Sequence, residues 1–243
     1  MEELRTPAAA FLRPELEQRL ARYVAARDSF ARDHIAHALA GACGQDALPA
    51  LLRAMVTYRE DDDGAAALQL DLMELFKAWP GTAFRATLDC VASDDPRVRM
   101  VGLLWLSIID FGGTRHFGLV ADAALDPDPG VRAHVMTTFG THFGTGDPAR
   151  SLDILVTGTS DAAPEVRRAA VFALYGSHEA MVTDALIACT GDADHEVRCW
   201  AAWALSGRPA PEVRAALERL TTDEAASVRD AACRALAPPT GWP

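Results

Sequence analysis

The fold is indicated by residues 161–176, which read DAAPEVRRAAVFALYG. Aspartate and proline favour the start of a helix, because a carboxylate accepts hydrogen bonds from first-turn amides and proline already has the required φ angle. Apolar residues then follow at helical spacing, namely Val166, Ala170, Val171 and Leu174. Gly176 is a typical residue at a helix end. The stretch therefore predicts an amphipathic helix with one buried face.

The same pattern, an acidic turn followed by Val-Arg and an alanine-rich stretch, recurs along the chain. The arginines of its five copies lie 33, 35, 31 and 31 residues apart, at Arg99, Arg132, Arg167, Arg198 and Arg229. A period in the low thirties is typical of one helical hairpin per repeat. Residues 31–41 align with residues 166–176 without a gap, and a weaker copy lies near residues 68–79. The sequence predicts an all-α solenoid of about seven helical hairpins, the last of which contributes a single helix.

We expect these repeats to form one solenoid domain over residues 1–243. Its predicted parts are an N-terminal capping helix at 1–27, a first repeat at 28–58, an acidic loop at 59–66, the remaining repeats at 67–237 and a C-terminal tail at 238–243. The first helix of a repeat is expected to end near a glycine, at Gly41, Gly140, Gly176 and Gly207. The second helices are predicted to include residues 47–58, 152–157, 180–189 and 211–220.

The motif D-x4-V-R-x2-A-x3-L, complete in three of these units and looser in the others, resembles the HEAT-repeat family, and specifically the PBS-lyase HEAT-like subtype. The resemblance covers about residues 28–237 and implies the solenoid fold. It constrains function weakly, because the family includes scaffolds, bilin lyases, a diiron hydroxylase and DNA glycosylases. It also implies a structural role for the repeated arginines, each bonding to acceptors in an adjoining turn: Arg99, Arg132, Arg167, Arg198 and Arg229.

Composition narrows the classes of function. The chain has 34 acidic and 23 basic residues, and its net charge of −11 argues against binding to the phosphate backbone of nucleic acids. No apolar run approaches the length of a membrane span, and the N-terminus lacks the basic start of a signal peptide. The five cysteines contain no C-x-x-C pair, which argues against a disulfide framework and a zinc site. We therefore expect a cytoplasmic protein with no metal, no cofactor and no membrane partner.

Residues that vary between repeats are the candidates for function. Two positions on one face of the first helix, three and six residues after the repeated valine, are occupied by Trp200 and Trp203 in one repeat and by Ala169 and Phe172 in the repeat before it. Paired tryptophans with Phe172 could anchor a partner. The alternative is that the tryptophans close the C-terminal end of the core.

A second candidate is a series of loops between the first and second helices. Each loop combines an aromatic residue, a glycine and a histidine, and the candidates are His116, Phe117, His142, Phe143 and His178. Stacked repeats should bring the loops to one edge, where histidine could titrate or bind a ligand. Because packed helices are about 10 Å apart, three successive loops are too far apart for one metal ion to bind all three histidines. The alternative is a glycine-rich helix end with aromatic packing.

A third candidate is the acidic run that contains Asp61, Asp62 and Asp63. It could bind a basic partner, or it could be an ordinary solvated loop. It lacks the alternating ligand pattern of a calcium-binding loop.

Catalytic interpretations find less support. Diiron relatives place His-Glu pairs at equivalent repeat positions, whereas the two pairs here begin at His178 and His195, half a repeat apart. Trp105 and Asp110 loosely suggest a HEAT-like DNA glycosylase, but Trp105 occupies a core position of the repeat and the net charge opposes DNA binding. No nucleophile or phosphate-binding motif is present.

The predicted function is a non-catalytic scaffold or adaptor module that binds a protein or peptide. The alternative is a small-molecule biosynthetic enzyme or lyase-like protein that uses the aromatic and histidine loop edge, and a DNA glycosylase is the weakest alternative.

Overall fold

A computed structural model describes residues 7–57, 65–110 and 113–237, except for the side chains of residues 7–10, 57, 65–66 and 142–143. Within these ranges the regular structure consists of α-helices and short 3-10 helices, with no strands. The all-α, helical-repeat prediction is therefore confirmed. The chain divides into two compact units, Met1–Ile109 (unit 1) and Asp110–Pro243 (unit 2).

Unit 1 consists of a long first helix followed by repeat helices. Its helices are α1 (Pro7–Ala26), α2 (Ser29–Cys43), α3 (Leu48–Ala54), α4 (Ala65–Ala78), α5 (Pro80–Val91) and α6 (Pro96–Ile109). The first helices of the repeats are α2, α4 and α6, and the second helices are α3 and α5. Helix α1 packs against α2 and α3. The core between the layers is rich in leucine and includes Leu39, Leu48, Leu52, Leu72 and Trp105.

Unit 2 continues the same alternation with shorter helices. They are α7 (Phe117–Asp122), α8 (Pro129–Phe139), α9 (Pro148–Gly158), α10 (Pro164–Ala173), α11 (Ala180–Cys189), α12 (His195–Leu205), α13 (Pro211–Leu220) and α14 (Ala226–Leu236). The first helices α8, α10, α12 and α14 pack in series, and the second helices α9, α11 and α13 form the other layer.

The buried stripe of unit 2 is the one that the repeat predicts. The repeated valine is fully buried in every first helix, at Val131, Val166, Val197 and Val228. The residue four positions later lies one helical turn further on the same face and is also fully buried, at Val135, Ala170, Ala201 and Ala232. Small residues at these positions let successive helices approach closely.

Several helix ends follow the predicted chemistry, but the residues at the N-caps of α10 and α14 are Ala163 and Ala225, which have no capping side chain. The Asp128 carboxylate accepts a hydrogen bond from the Val131 amide (3.1 Å) at the start of α8. Gly176 and Gly207 have φ angles of +86° and +76°, in the left-handed region that glycine adopts without strain. The end predicted near Gly41 lies further along, because α2 passes through Gly41 and Gly44 (φ +54°) follows its last residue.

Candidate functional site

Four aromatic residues lie together on the first-helix layer of unit 2, and we call them the aromatic surface: Phe172, Tyr175, Trp200 and Trp203. Phe172 is on α10, Tyr175 is in the turn that follows it, and both tryptophans are on α12. Phe172, Tyr175 and Trp200 retain 53%, 59% and 38% exposure, and Trp203 is half-buried. These side chains therefore combine large apolar area with access to solvent.

Contacts between helices order the aromatic surface. The Phe172 and Trp200 rings meet edge to face, with centroids 4.9 Å apart and planes at 80°. Such pairs contribute about 0.5–1.5 kcal/mol beyond the area that they bury. The guanidinium carbon of Arg234, on α14, lies 5.9 Å from the centroid of the Trp203 ring, within the range of a cation–π contact. Arg168 of α10 also pairs with Glu196 of α12. Three successive first helices are thus linked across this face.

A ladder of arginine–aspartate pairs joins the same helices at their N-terminal turns. Each arginine donates two parallel hydrogen bonds of 2.7–2.8 Å to the aspartate of the next repeat, in the pairs Arg132–Asp161, Arg167–Asp192 and Arg198–Asp223. Each arginine also donates through Nη1 to a carbonyl of its own turn. This bidentate geometry is strong and directional, so the ladder holds consecutive repeats in register.

The ladder alters the proton affinity of its carboxylates. The hydrogen bond from Arg132 lowers the pKa of Asp161, and that from Arg198 lowers the pKa of Asp223. Burial would raise the pKa of Asp192, but the hydrogen bond from Arg167 and the amide of Asp194 outweigh it and the pKa is lowered. These aspartates therefore remain ionised and paired at neutral pH.

The remaining two repeated arginines bind carbonyls of their own turns. Arg229 donates to the carbonyls of Asp223 (2.7 Å) and Glu224 (2.9 Å). Arg99 donates to the carbonyls of Ser93 (2.9 Å) and Asp94 (3.0 Å).

The loop before α7 is organised by Asp110, a contact that the sequence analysis did not foresee. One carboxylate oxygen of this buried residue accepts from the backbone amides of Arg115 (2.9 Å) and His116 (2.7 Å), and the other from the Thr114 hydroxyl (3.3 Å). His116 Nδ1 lies 3.2 Å from the same carboxylate. Burial would raise the pKa of Asp110, but the two amides outweigh it and the pKa is lowered. The available signal was the short spacing between Asp110 and the loop residues that donate to it.

The other loop candidates differ from one another in their exposure to solvent. Phe117 is nearly buried and its ring centroid is 5.0 Å from that of Phe139, while Arg150 lies over its face at 5.4 Å. His178 is exposed before α11. His142 and Phe143 lie in the 3-10 helix His142–Gly146, but their side chains are outside the described set, as are residues Asp61, Asp62 and Asp63 altogether.

His134 is a half-buried residue of the first-helix layer of unit 2. It lies on α8, three residues after the repeated valine, and its Nε2 atom is buried without a hydrogen-bond partner among the described residues. Burial lowers the pKa of this imidazole, so it is neutral at physiological pH.

Two broader features bear on the type of site. In the part of the chain that the structure describes, no three histidine, cysteine or acidic side chains are grouped so as to hold a metal ion. Among the described helices, none has the length and apolar character needed to cross a membrane.

Residues 152–237, which include the aromatic surface and two rungs of the ladder, match the family model for HEAT repeats. This part of the chain therefore resembles the HEAT-repeat family. Its assignment to the PBS-lyase subtype stays a prediction. No curated protein sequence matches the chain.

Solved structures resemble this chain at low sequence identity. One engineered protein aligns with 78% of this chain and 96% of its own length, with a TM-score of 0.50 and 19% identity, which shows the fold alone. A second engineered protein covers 91% of this chain and 95% of its own, with a TM-score of 0.49 and 17% identity. A designed armadillo repeat protein, solved in complex with the peptide (KR)4, covers 78% and 98%, with a TM-score of 0.49 and 18% identity.

Proposed function

We propose that this protein is a non-catalytic module that binds a protein or peptide through the aromatic surface of unit 2. The observation that carries the proposal is the exposure of Phe172 and Trp200 in mutual contact on two adjacent HEAT repeats. Clustered exposed aromatic side chains are uncommon on soluble monomers and are enriched at the energetic centres of interfaces.

The rigidity of the surface favours binding. The arginine–aspartate ladder and the Arg168–Glu196 pair hold α10, α12 and α14 together, so the rings are positioned before a partner arrives. Binding then costs less free energy for ordering these side chains than it would if they lay on a mobile loop.

Charge indicates the character of the partner. Residues 110–243 contain 18 acidic and 11 basic side chains, and all 11 basic ones are arginines. Several of these guanidinium groups bind within the protein, including the ladder arginines, Arg168 and Arg208. A partner with a basic segment next to an apolar anchor would therefore associate fastest, and its association rate would fall as salt rises.

Selection from a displayed library of random peptides tests this proposal. Peptides recovered on the wild type should bind Trp200→Ala at least about 30-fold more weakly, the change expected for a hot-spot residue worth about 2 kcal/mol. Met181→Ala is the matched control, because Met181 is also an exposed apolar residue of unit 2 but lies on the second-helix layer. Equal affinity of the selected peptides for wild type and Trp200→Ala would refute the proposal.

A second candidate function is small-molecule binding or turnover at the loop edge, favoured by the Asp110–His116 contact. A carboxylate close to an imidazole is a combination found in acid–base sites. Retention of a metabolite from a cell extract by wild type but not by His116→Gln would support it. His178→Gln is the control, because His178 is exposed and lies outside this contact.

The proposed setting is a reducing, cytoplasmic one. All five cysteines are free thiols, and burial raises the pKa of Cys90 and of Cys189 to about 11, which makes these two thiols unreactive.

A further inference from the structure

Unit 1 contains an open cavity of about 240 Å³ between α4, the start of α5 and the end of α6. Its walls are apolar except for one residue, and they include Met73, Phe76, Trp105 and Ile108. Trp105 forms the floor with 1% exposure, and its ring centroid is 4.5 Å from that of Phe76. Met73 and Ile108 stand at the mouth with 37% and 39% exposure. The cavity thus combines a rigid aromatic floor with an apolar rim that solvent reaches.

The single charged residue on the wall is Lys77. It is also the only lysine in the sequence, since the other 22 basic residues are arginines. The Lys77 Nζ atom is 2.8 Å from Glu74 Oε1, and both side chains are largely exposed. Exposed pairs of this kind are weak, so a ligand anion can replace Glu74 without a large penalty.

We propose that this cavity binds a small apolar carboxylate, with its hydrocarbon body against Phe76 and Ile108 and its carboxylate at Lys77. The volume suits such a ligand, because an apolar protein cavity of about 150 Å³ is known to accommodate benzene. The additional space accommodates a short side chain on a ring. A compact ammonium group complements the carboxylate, and the apolar walls discriminate against small hydrophilic acids.

Ligand-observed NMR with phenylacetate, 3-phenylpropionate and octanoate tests this proposal, with the corresponding neutral amides as isosteres. We expect saturable binding in which each acid binds about fivefold more tightly than its amide, the upper range for a partly exposed ion pair. Lys77→Gln should remove that preference and leave amide affinity unchanged, whereas Lys77→Arg should keep most of it. Glu74→Gln should tighten acid binding, because it removes the competing carboxylate.

The control variant is Arg85→Gln, which removes the same charge from an exposed position on α5 of the same unit. The single lysine provides an independent readout: a bound acid should slow its modification by an amine-reactive reagent, measured by peptide mass spectrometry. Three outcomes would each overturn the proposal: no saturable binding by any acid, equal binding of acids and amides, or an acid preference that survives in Lys77→Gln. Concentration-dependent dimerisation that Ile108→Glu abolishes would also overturn it, by assigning the cavity to a second copy of the chain.

Discussion

Replacing Arg198 with alanine tests whether the ladder holds the HEAT repeats together. The Arg198 and Asp223 side chains are each only 9% exposed, which makes this the most buried rung. Arg198 donates to both oxygens of Asp223 at 2.7 and 2.8 Å and to the Asp192 carbonyl at 2.9 Å. The substitution leaves a nearly buried carboxylate and a carbonyl without these donors.

The expected cost is about 3 kcal/mol. Removal of one partner from a buried ion pair costs about 3–5 kcal/mol, and the residual exposure of Asp223 places this case at the lower end. The Asp223 carboxylate keeps one hydrogen bond, from the Ala225 amide at 2.9 Å, which limits the loss further. By contrast, Arg214→Ala removes an exposed pair with Glu218 within one helix and should cost about 0.3–0.5 kcal/mol.

Urea denaturation of wild type and both variants measures the difference. The pH dependence provides a second check, because the pKa of Asp223 is lowered by its hydrogen bond from Arg198. The stability that the rung contributes is fully present above the ordinary aspartate pKa of 3.8 and is lost as pH falls through the lower folded-state value. The gap between wild type and Arg198→Ala should therefore narrow below pH 4. A cost for Arg198→Ala as small as that for Arg214→Ala at neutral pH would refute the reasoning.

Two further predictions concern buried sites away from the ladder. Because burial lowers the pKa of His134, protonation of this imidazole opposes folding. The free energy of unfolding should therefore fall by up to about 1.4 kcal/mol between pH 7.5 and pH 5.5. Urea titrations at the two pH values should show that His134→Leu loses this pH dependence. Gly102→Ala should destabilise unit 1, because the new Cβ would lie 2.6 Å from the backbone nitrogen of Val91. Gly41→Ala should stabilise unit 1 by about 0.5–1 kcal/mol, because Gly41 lies in a helix and a Cβ there would meet no atom within 4 Å. Thermal melts of both variants measure these changes.

Sequence periodicity was enough to predict most of the fold. The boundaries of α11 and α13 agree with the predicted second helices, and Trp105, assigned to the core from its repeat position, is buried. The pattern is informative because every repeat must bury the same stripe against its neighbours. The short α7 deviates: it is followed by a 3-10 turn at Ala123–Leu125, and no residue in the stretch signals that change.

The candidate site was less predictable, because exposure depends on neighbouring helices. Trp200 and Trp203 were singled out by size alone, but their contacts, with Phe172 and with Arg234, come from other helices. The cavity of unit 1 depends on three helices, and its residues lie up to 36 positions apart in sequence with no shared motif. Pairwise packing of this kind leaves no periodic signal.

The ladder aspartates show why the residues that recur most clearly in the sequence have structural roles. Asp161, Asp192 and Asp223 each accept the amide of the residue two positions later, which shapes the turn, and each also accepts the arginine of the preceding repeat. One residue type thus specifies both the turn and the register between repeats, so it recurs with the repeat. A residue that anchors a partner is needed only at the repeat where that partner binds. Binding specificity is therefore expected at positions that differ between repeats. By this reasoning Phe172 and Trp200, which break the pattern, are better candidates for recognition than any residue that repeats.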